Sequence, residues 1–248
     1  MNFKYLIITP KKGYTIVQLN RPKEMNAITR PMMDELKLAF RSLEEDPDVS
    51  VVVLTGGDMV FCAGHDLKEV ASLEDSEIGP YFKKMVDYMS IIHNFAKPLI
   101  AAVGGIALGG GFNLAIASDI IVASESAIFG HPELRLGINP LFDPLRRLVG
   151  LVKAKMIAMM GEPIGAKEAE KIGFVTTVVP PEEFMETAES YARELARRPP
   201  LALQAVKRVS DVVPRLDKRT ALEYELEISA LLFSRPETRE RFRKALKK

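Results

Sequence analysis

Apolar residues recur along this chain in two spacings that alternate. Residues 14–19 (Tyr-Thr-Ile-Val-Gln-Leu) alternate like a half-buried strand, after a turn at Lys12-Gly13. Over 32–43, Met32, Met33, Leu36, Phe40 and Leu43 share one helical face, with Thr29 as a cap and Pro31 in the first turn. Residues 51–54 are an unbroken apolar run, which predicts a short strand buried on both faces. A turn-rich loop over 55–64 leads into a short helix over 66–70. The pattern then repeats: a helix over 80–94, a buried strand over 98–103, a glycine turn at 109–111, a helix over 112–118 and a strand over 120–123. Strands alternating with helices predict an α/β domain with crossover connections. From residue 151 helical spacing dominates, over 151–160, 166–172, 182–198, 201–211 and 219–233, interrupted by a strand over 174–179. The expected architecture is an α/β core with a helical C-terminal region.

Composition narrows the function classes. Lys+Arg (34) and Asp+Glu (33) nearly cancel over 248 residues, so nothing calls for a nucleic-acid partner. The single cysteine, Cys62, rules out an internal disulfide and fits a reducing compartment. The first ten residues lack an apolar stretch of signal-peptide length, and no window reaches the apolar length of a membrane span. A cytoplasmic chain with no membrane partner is expected. Three histidines (His65, His93 and His131) form no metal-ligand spacing, so no metal is expected.

Two segments carry candidate chemistry. Phe61-Cys62-Ala63-Gly64-His65-Asp66-Leu67 follows a buried strand; its small residues allow close backbone approach, and Asp66 can cap the next helix. Ala107-Leu108-Gly109-Gly110-Gly111-Phe112-Asn113 places three glycines before a helix, where first-turn N–H groups point outward with the dipole behind them. Such a site suits an anion or a developing oxyanion. Each segment alone also reads as a tight strand-to-helix turn. No Gly-Lys-Ser/Thr follows the glycines, the spacing is not G-x-G-x-x-G, and there is no G-x-S-x-G elbow.

Taken together, the motifs resemble those of the crotonase, or enoyl-CoA hydratase/isomerase, superfamily over nearly the whole chain. The matching stretches are Leu19-Asn20-Arg21-Pro22-Lys23 with Asn26-Ala27, Val52-Val53-Leu54-Thr55-Gly56, residues 61–67, Lys97-Pro98-Leu99-Ile100-Ala101-Ala102-Val103, residues 107–111 and Ser118-Asp119-Ile120. Phe129-Gly130, Pro132-Glu133 and Leu136-Gly137 follow in order. The resemblance implies an α/β, crotonase-like spiral of ββα units over 1–190 and a helical region over 191–248 that completes a homotrimer or dimer of trimers. It implies an acyl-CoA substrate and no separate cofactor, since the coenzyme A thioester is itself the substrate. By the same resemblance the thioester oxygen lies between the backbone N–H groups of His65 and Gly110. Lys23, Glu24 and Met25, with Ala63, Asp66, Leu67 and Lys68, would line the path of the coenzyme.

The chain also departs from that family. Hydratases of this kind carry two glutamates, one two residues after the glycine triplet and one after the proline. Here the second is Glu133, but the first position holds Asn113. Adding water asks for an oriented, deprotonated water and a proton for the α-carbon, whereas shifting a double bond from the 3 to the 2 position asks only that one proton be moved, which one carboxylate can do. Asn113 can bind water but cannot accept a proton at neutral pH. The sequence therefore favours an isomerase acting through Glu133. A hydratase or another crotonase reaction using Glu133 with Asn113 or Asp143, and a non-catalytic acyl-CoA-binding subunit, are the alternatives. Asp143 lies in an altered loop after Gly137, where some family members place a catalytic aspartate; it also reads as an Asp-Pro turn. His131, two residues before Glu133, could tune it, although a core or surface histidine is the commoner reading.

Overall fold

β1 (Leu6–Lys11) and β2 (Tyr14–Leu19) pair antiparallel across the turn at Gly13, and α1 (Arg30–Glu45) follows. Residues 3–246 are described by the computed structural model. From there the chain winds as a spiral between two sheets. In the first turn β3 (Val51–Thr55) lies parallel to β2, β4 (Val60–Cys62) enters a second sheet, and α2 (Leu67–Ala71) and α3 (Asp75–His93) close the loop. The second turn is β5 (Leu99–Val103), β6 (Ile106–Leu108) and α4 (Gly110–Ile116). The third is β7 (Ile120–Ser124), β8 (Ile128–Gly130), a 3-10 turn at Pro132–Leu136, then α5 (Asp143–Val149) and α6 (Leu151–Met160). β9 (Ile164–Gly165), α7 (Ala166–Ile172), β10 (Thr177–Val179) and α8 (Phe184–Ala196) complete the unit. The sheets run β1-β2-β3-β5-β7-β10 and β4-β6-β8-β9; both are parallel apart from the β1–β2 and β8–β9 pairs.

Alternation of side chains along a strand explains the unbroken apolar runs. Val52 and Leu54 of β3 join the core that holds Met32, Leu36 and Phe40 of α1 and Tyr88 and Ile92 of α3. Val51 and Val53 face the opposite way, into a second core with Phe184, Ala188 and Ala192 of α8. Between the sheets the chain turns at glycines with no room for a side chain. A Cβ on Gly105 would stand 1.9 Å from the Met59 carbonyl oxygen, so only glycine fits that corner.

The chain divides into Met1–Ala196 and Arg197–Lys248. The expected division at 190/191 falls inside α8, whose Ala192 is buried in the second core. The C-terminal unit holds α9 (Pro200–Val212), α10 (Lys218–Phe233) and α11 (Pro236–Ala245). Asp217 caps α10 by accepting from the Arg219 and Thr220 amides, and Phe233 meets Phe242 edge-on at 5.3 Å. Among the described residues no helix is long and apolar enough to cross a membrane.

Candidate active site

Strand register in the second sheet assembles the site. Cys62 of β4 lies opposite Ala107 of β6, and Leu108 of β6 opposite Gly130 of β8. Because these strands are parallel, their C-terminal ends open at one edge. The three segments that follow, 63–66, 109–113 and 131–133, therefore emerge side by side.

The first segment is pinned from behind. Ile28 N–H donates to the Gly64 carbonyl at 2.8 Å, and Asp66 N–H donates to the Ile28 carbonyl at 2.9 Å. In a trans peptide the C=O and the following N–H point in opposite directions. With the Gly64 carbonyl aimed at Ile28, the His65 N–H faces away from it. The second segment obeys the same rule. Asn113 N–H donates to the Gly109 carbonyl at 2.9 Å in the first turn of α4, so the Gly110 N–H points out of the helix end. A Cβ placed on Gly64 would lie 3.3 Å from the Gly110 nitrogen, so the two segments are in close apposition.

The His65 imidazole sits behind this pair. A Cβ on Gly110 would fall 2.8 Å from its Nε2, and the Tyr81 hydroxyl approaches its Nδ1 at 3.4 Å. Tyr81 and Tyr88 both meet the ring edge-on at 6.2 Å. Burial pushes the imidazole down to about 4, against the opposing pull of Glu133 and Glu69. It is uncharged at neutral pH. Cys62 is equally inert: burial pushes its thiol up to about 12, despite a hydrogen bond from Gly64 N–H.

The third segment supplies the carboxylate. Glu133 sits in the 3-10 turn that begins with Pro132 and ends at Gly137, whose φ is +81°. Its Oε2 lies 3.1 Å from the point that a Cβ on Gly109 would occupy. Its Oε1 takes a 2.9 Å hydrogen bond with Nδ1 of His131, a residue with no exposed surface. Glu133 Oε2, His131 Nε2 and Asn113 Oδ1 are buried atoms without a hydrogen-bond partner. Of these, Glu133 Oε2 lies against Gly109, and a buried carboxylate oxygen left unpaired beside the glycine segment marks a place for a polar guest.

Asp143 is placed differently. It opens α5, half-exposed, and pairs with Arg146 (2.6 Å) and Arg147 (2.7 Å) on its own helix. The Arg147 guanidinium, then Arg146, hold its carboxyl below the usual range. Nothing in these contacts joins it to Glu133, and a carboxylate held ionised by two arginines is a poor proton carrier. The alternative in which Asp143 shares the chemistry gains no support from this placement, and the Asp-Pro pair opens α5 instead of making a turn, with Pro144 in the first helical turn.

The segments expected to line a coenzyme path come together. Ala63 N–H donates to the Met25 carbonyl at 3.0 Å. Arg21 reaches the Asp66 carboxylate with two nitrogens at 3.2 Å. Burial raises the Asp66 carboxyl, but the Glu69 amide, Arg21 and the Lys68 amide outweigh it and hold the group below its ordinary value. Asp66 thus caps α2 and ties down 21–28. Lys23, Glu24, Met25, Leu67 and Lys68 stand exposed around it. Sequence reasoning missed Tyr81 and Tyr88 behind His65, and Arg30, which bonds Glu69 (2.7 Å) and Glu77 (2.9 Å) and so links the starts of α1 and α3 through α2. Among the described residues no three His, Cys, Asp or Glu side chains gather as metal ligands.

This is a crotonase-type architecture, a spiral of strand pairs closed by helices with glycine-rich segments at one sheet edge. The model of the enoyl-CoA hydratase/isomerase family matches residues 9–248. The chain belongs to that family. It is 37% identical over 236 residues to the short-chain-enoyl-CoA hydratase of Clostridium acetobutylicum, covering 92% of this chain and 89% of that one. It is 34% identical over 247 residues to the crotonyl-CoA hydratase of Syntrophomonas wolfei, covering 97% and 94%. Among solved structures, an enoyl-CoA hydratase from Bacillus anthracis superposes with a TM-score of 0.93 at 30% identity, covering 98% of this chain and 96% of that one.

Proposed function

We propose that this chain hydrates a 2-enoyl-CoA, with Glu133 as the acid–base group and the His65 and Gly110 amides as the oxyanion donors. The observation that carries the reading is Glu133 Oε2, a buried carboxylate oxygen without a protein partner beside Gly109. The thioester oxygen would accept from the two amides, drawing electron density from C3 and stabilising the enolate. A water whose hydrogen is accepted by Asn113 Oδ1 would lose its other proton to Glu133 as its oxygen bonds to C3. Glu133 then returns that proton to C2 and is ionised again. Asn113 serves here as an orienting acceptor, a task that needs no second base. The hydratases named among the relatives favour this over the isomerase that the sequence favours. Lys23, Glu24, Met25, Ala63, Asp66, Leu67 and Lys68 would frame the coenzyme portion.

Isomerisation of a 3-enoyl-CoA is the second reading, and Asn113 in place of a second carboxylate is what favours it. Glu133 would then move a proton from C2 to C4. The two are separated by giving purified protein 2-enoyl-CoA and 3-enoyl-CoA in turn and following the ultraviolet band of the conjugated thioester. Hydration removes the band from the first; isomerisation produces it from the second. Silence with both would leave only binding.

The proposal extends to assembly as a homotrimer or a dimer of trimers. In the C-terminal unit Leu222, Leu226, Leu231 and Phe233 are all at least half exposed. That much apolar side chain along one helix fits burial against other copies. Light scattering should give the mass of three or six chains at micromolar concentration; a stable monomer would contradict it.

A further inference from the structure

The bond between His131 and Glu133 enters no step above, yet it decides how the carboxylate can work. His131 is wholly buried, with the Phe112 ring at 4.8 Å on one side. Phe112 is itself packed against Phe129 (5.8 Å) and Phe174 (5.3 Å), so the wall behind the imidazole is apolar. One ring nitrogen faces a carboxylate oxygen at 2.9 Å, and the other is buried without a partner.

Hydrogen-bond accounting then fixes the tautomer. An ionised carboxylate only accepts, so the bond requires the proton on Nδ1. A proton on Nε2 would be a buried N–H with nothing to receive it, a costlier orphan than a bare nitrogen. The neutral Nδ1–H imidazole satisfies both conditions. Its donation occupies Oε1 and leaves the other oxygen turned toward the glycine segment: Oε2 lies 3.1 Å from the Cβ position of Gly109, and Oε1 3.9 Å.

We propose that His131 is a positioning residue that holds Glu133 by Oε1 and presents Oε2 as the single oxygen that exchanges a proton with the substrate. This rests on the reading of Glu133 as the acid–base group. The need for it follows from Asn113. Where one carboxylate must both take and return a proton, no partner corrects its orientation, and a small misplacement of a proton carrier is expensive in rate. His131 neither gains nor loses a proton over the cycle; it keeps its Nδ1–H throughout.

Two substitutions test this. His131→Phe keeps a ring against Phe112 and removes the donor. His131→Asn places an amide nitrogen the same number of bonds from Cα as Nδ1 and so retains the donor. H131F should lower kcat by about tenfold or more, with KM and the affinity for a saturated acyl-CoA within roughly twofold. H131N should recover most of the loss. In an E133Q background H131F should have no further effect on kcat. Should H131F fail to fold, His131→Gln, whose amide lies one bond too far out, supplies the comparison with H131N. Equal losses in H131N and its comparison variant, H131F or H131Q, would make the residue merely structural and overturn the inference. So would wild-type kcat in folded H131F while E133Q is inactive, a result that leaves the role of Glu133 standing. Activity in E133Q would instead remove that role and this inference with it.

Discussion

Glu133→Gln should abolish turnover while leaving the substrate bound. Positioned acid–base groups contribute on the order of a hundred- to ten-thousand-fold in rate, and Glu133 is the carboxylate that the structure sets against the glycine segment. The substitution changes little else. Glutamine fills the same volume in the 3-10 turn, and its amide oxygen can still accept from His131 Nδ1, which now lies 2.9 Å from Oε1. What it cannot do is take a proton. Affinity for a saturated acyl-CoA, measured by calorimetry, should therefore change by less than about tenfold, or about 1.4 kcal/mol. If Glu133 served only to brace its turn, the variant would melt earlier and keep its activity. Wild-type turnover in folded E133Q protein would contradict the mechanism.

Gly110→Ala should also cost about a hundredfold or more, and the structure supplies the reason. The new Cβ would stand 2.8 Å from Nε2 and 2.9 Å from Cδ2 of His65. That ring cannot recede freely, because Tyr81 and Tyr88 stand at its edges. The strain falls on the backbone, and one of the two N–H donors leaves its place. Loss of one such donor removes about 3 kcal/mol of transition-state stabilisation. His65→Ala alone should keep most turnover, since its amide and not its uncharged ring is proposed to act. The double variant His65→Ala, Gly110→Ala should then regain part of the lost rate, because the atoms that clash are gone. Full activity in G110A, or an inactive but folded H65A, would contradict the backbone donor pair.

How much of this could be read in the sequence depends on element length. β2, β3, β5 and β7 have five or six residues and are largely buried, so their apolar runs are visible. β4, β6 and β8 have three each, too short for any periodicity, yet their register assembles the site. β1 was masked by Pro10, which an edge strand tolerates. α3 begins at Asp75 and not near Pro80, because Glu74 and Glu77 form a capping box five residues earlier and the proline sits inside the first turns. The Asp143-Pro144 pair opens a helix in the structure, since proline suits a first turn as well as a bend. At the site, the glycines and Glu133 were legible as motifs. Their apposition came from the family resemblance and not from any spacing in the chain. The sequence offers the three glycines as a tight turn before a helix; the fold shows that a side chain at Gly110 would run into His65. The link from His131 to Glu133 was within reach, at a spacing of two, yet nothing in spacing distinguishes a ring turned toward the carboxylate from one turned toward the core.

The most direct test is the fate of water. Purified protein is given 2-enoyl-CoA in oxygen-18 water and the product is examined by mass spectrometry before equilibrium. Hydration predicts a 3-hydroxyacyl-CoA carrying one heavy oxygen per turnover, formed by the wild type and suppressed in Glu133→Gln. A substrate that gains no water, while 3-enoyl-CoA is converted to its conjugated isomer, would contradict hydration and leave the single-carboxylate isomerase in its place.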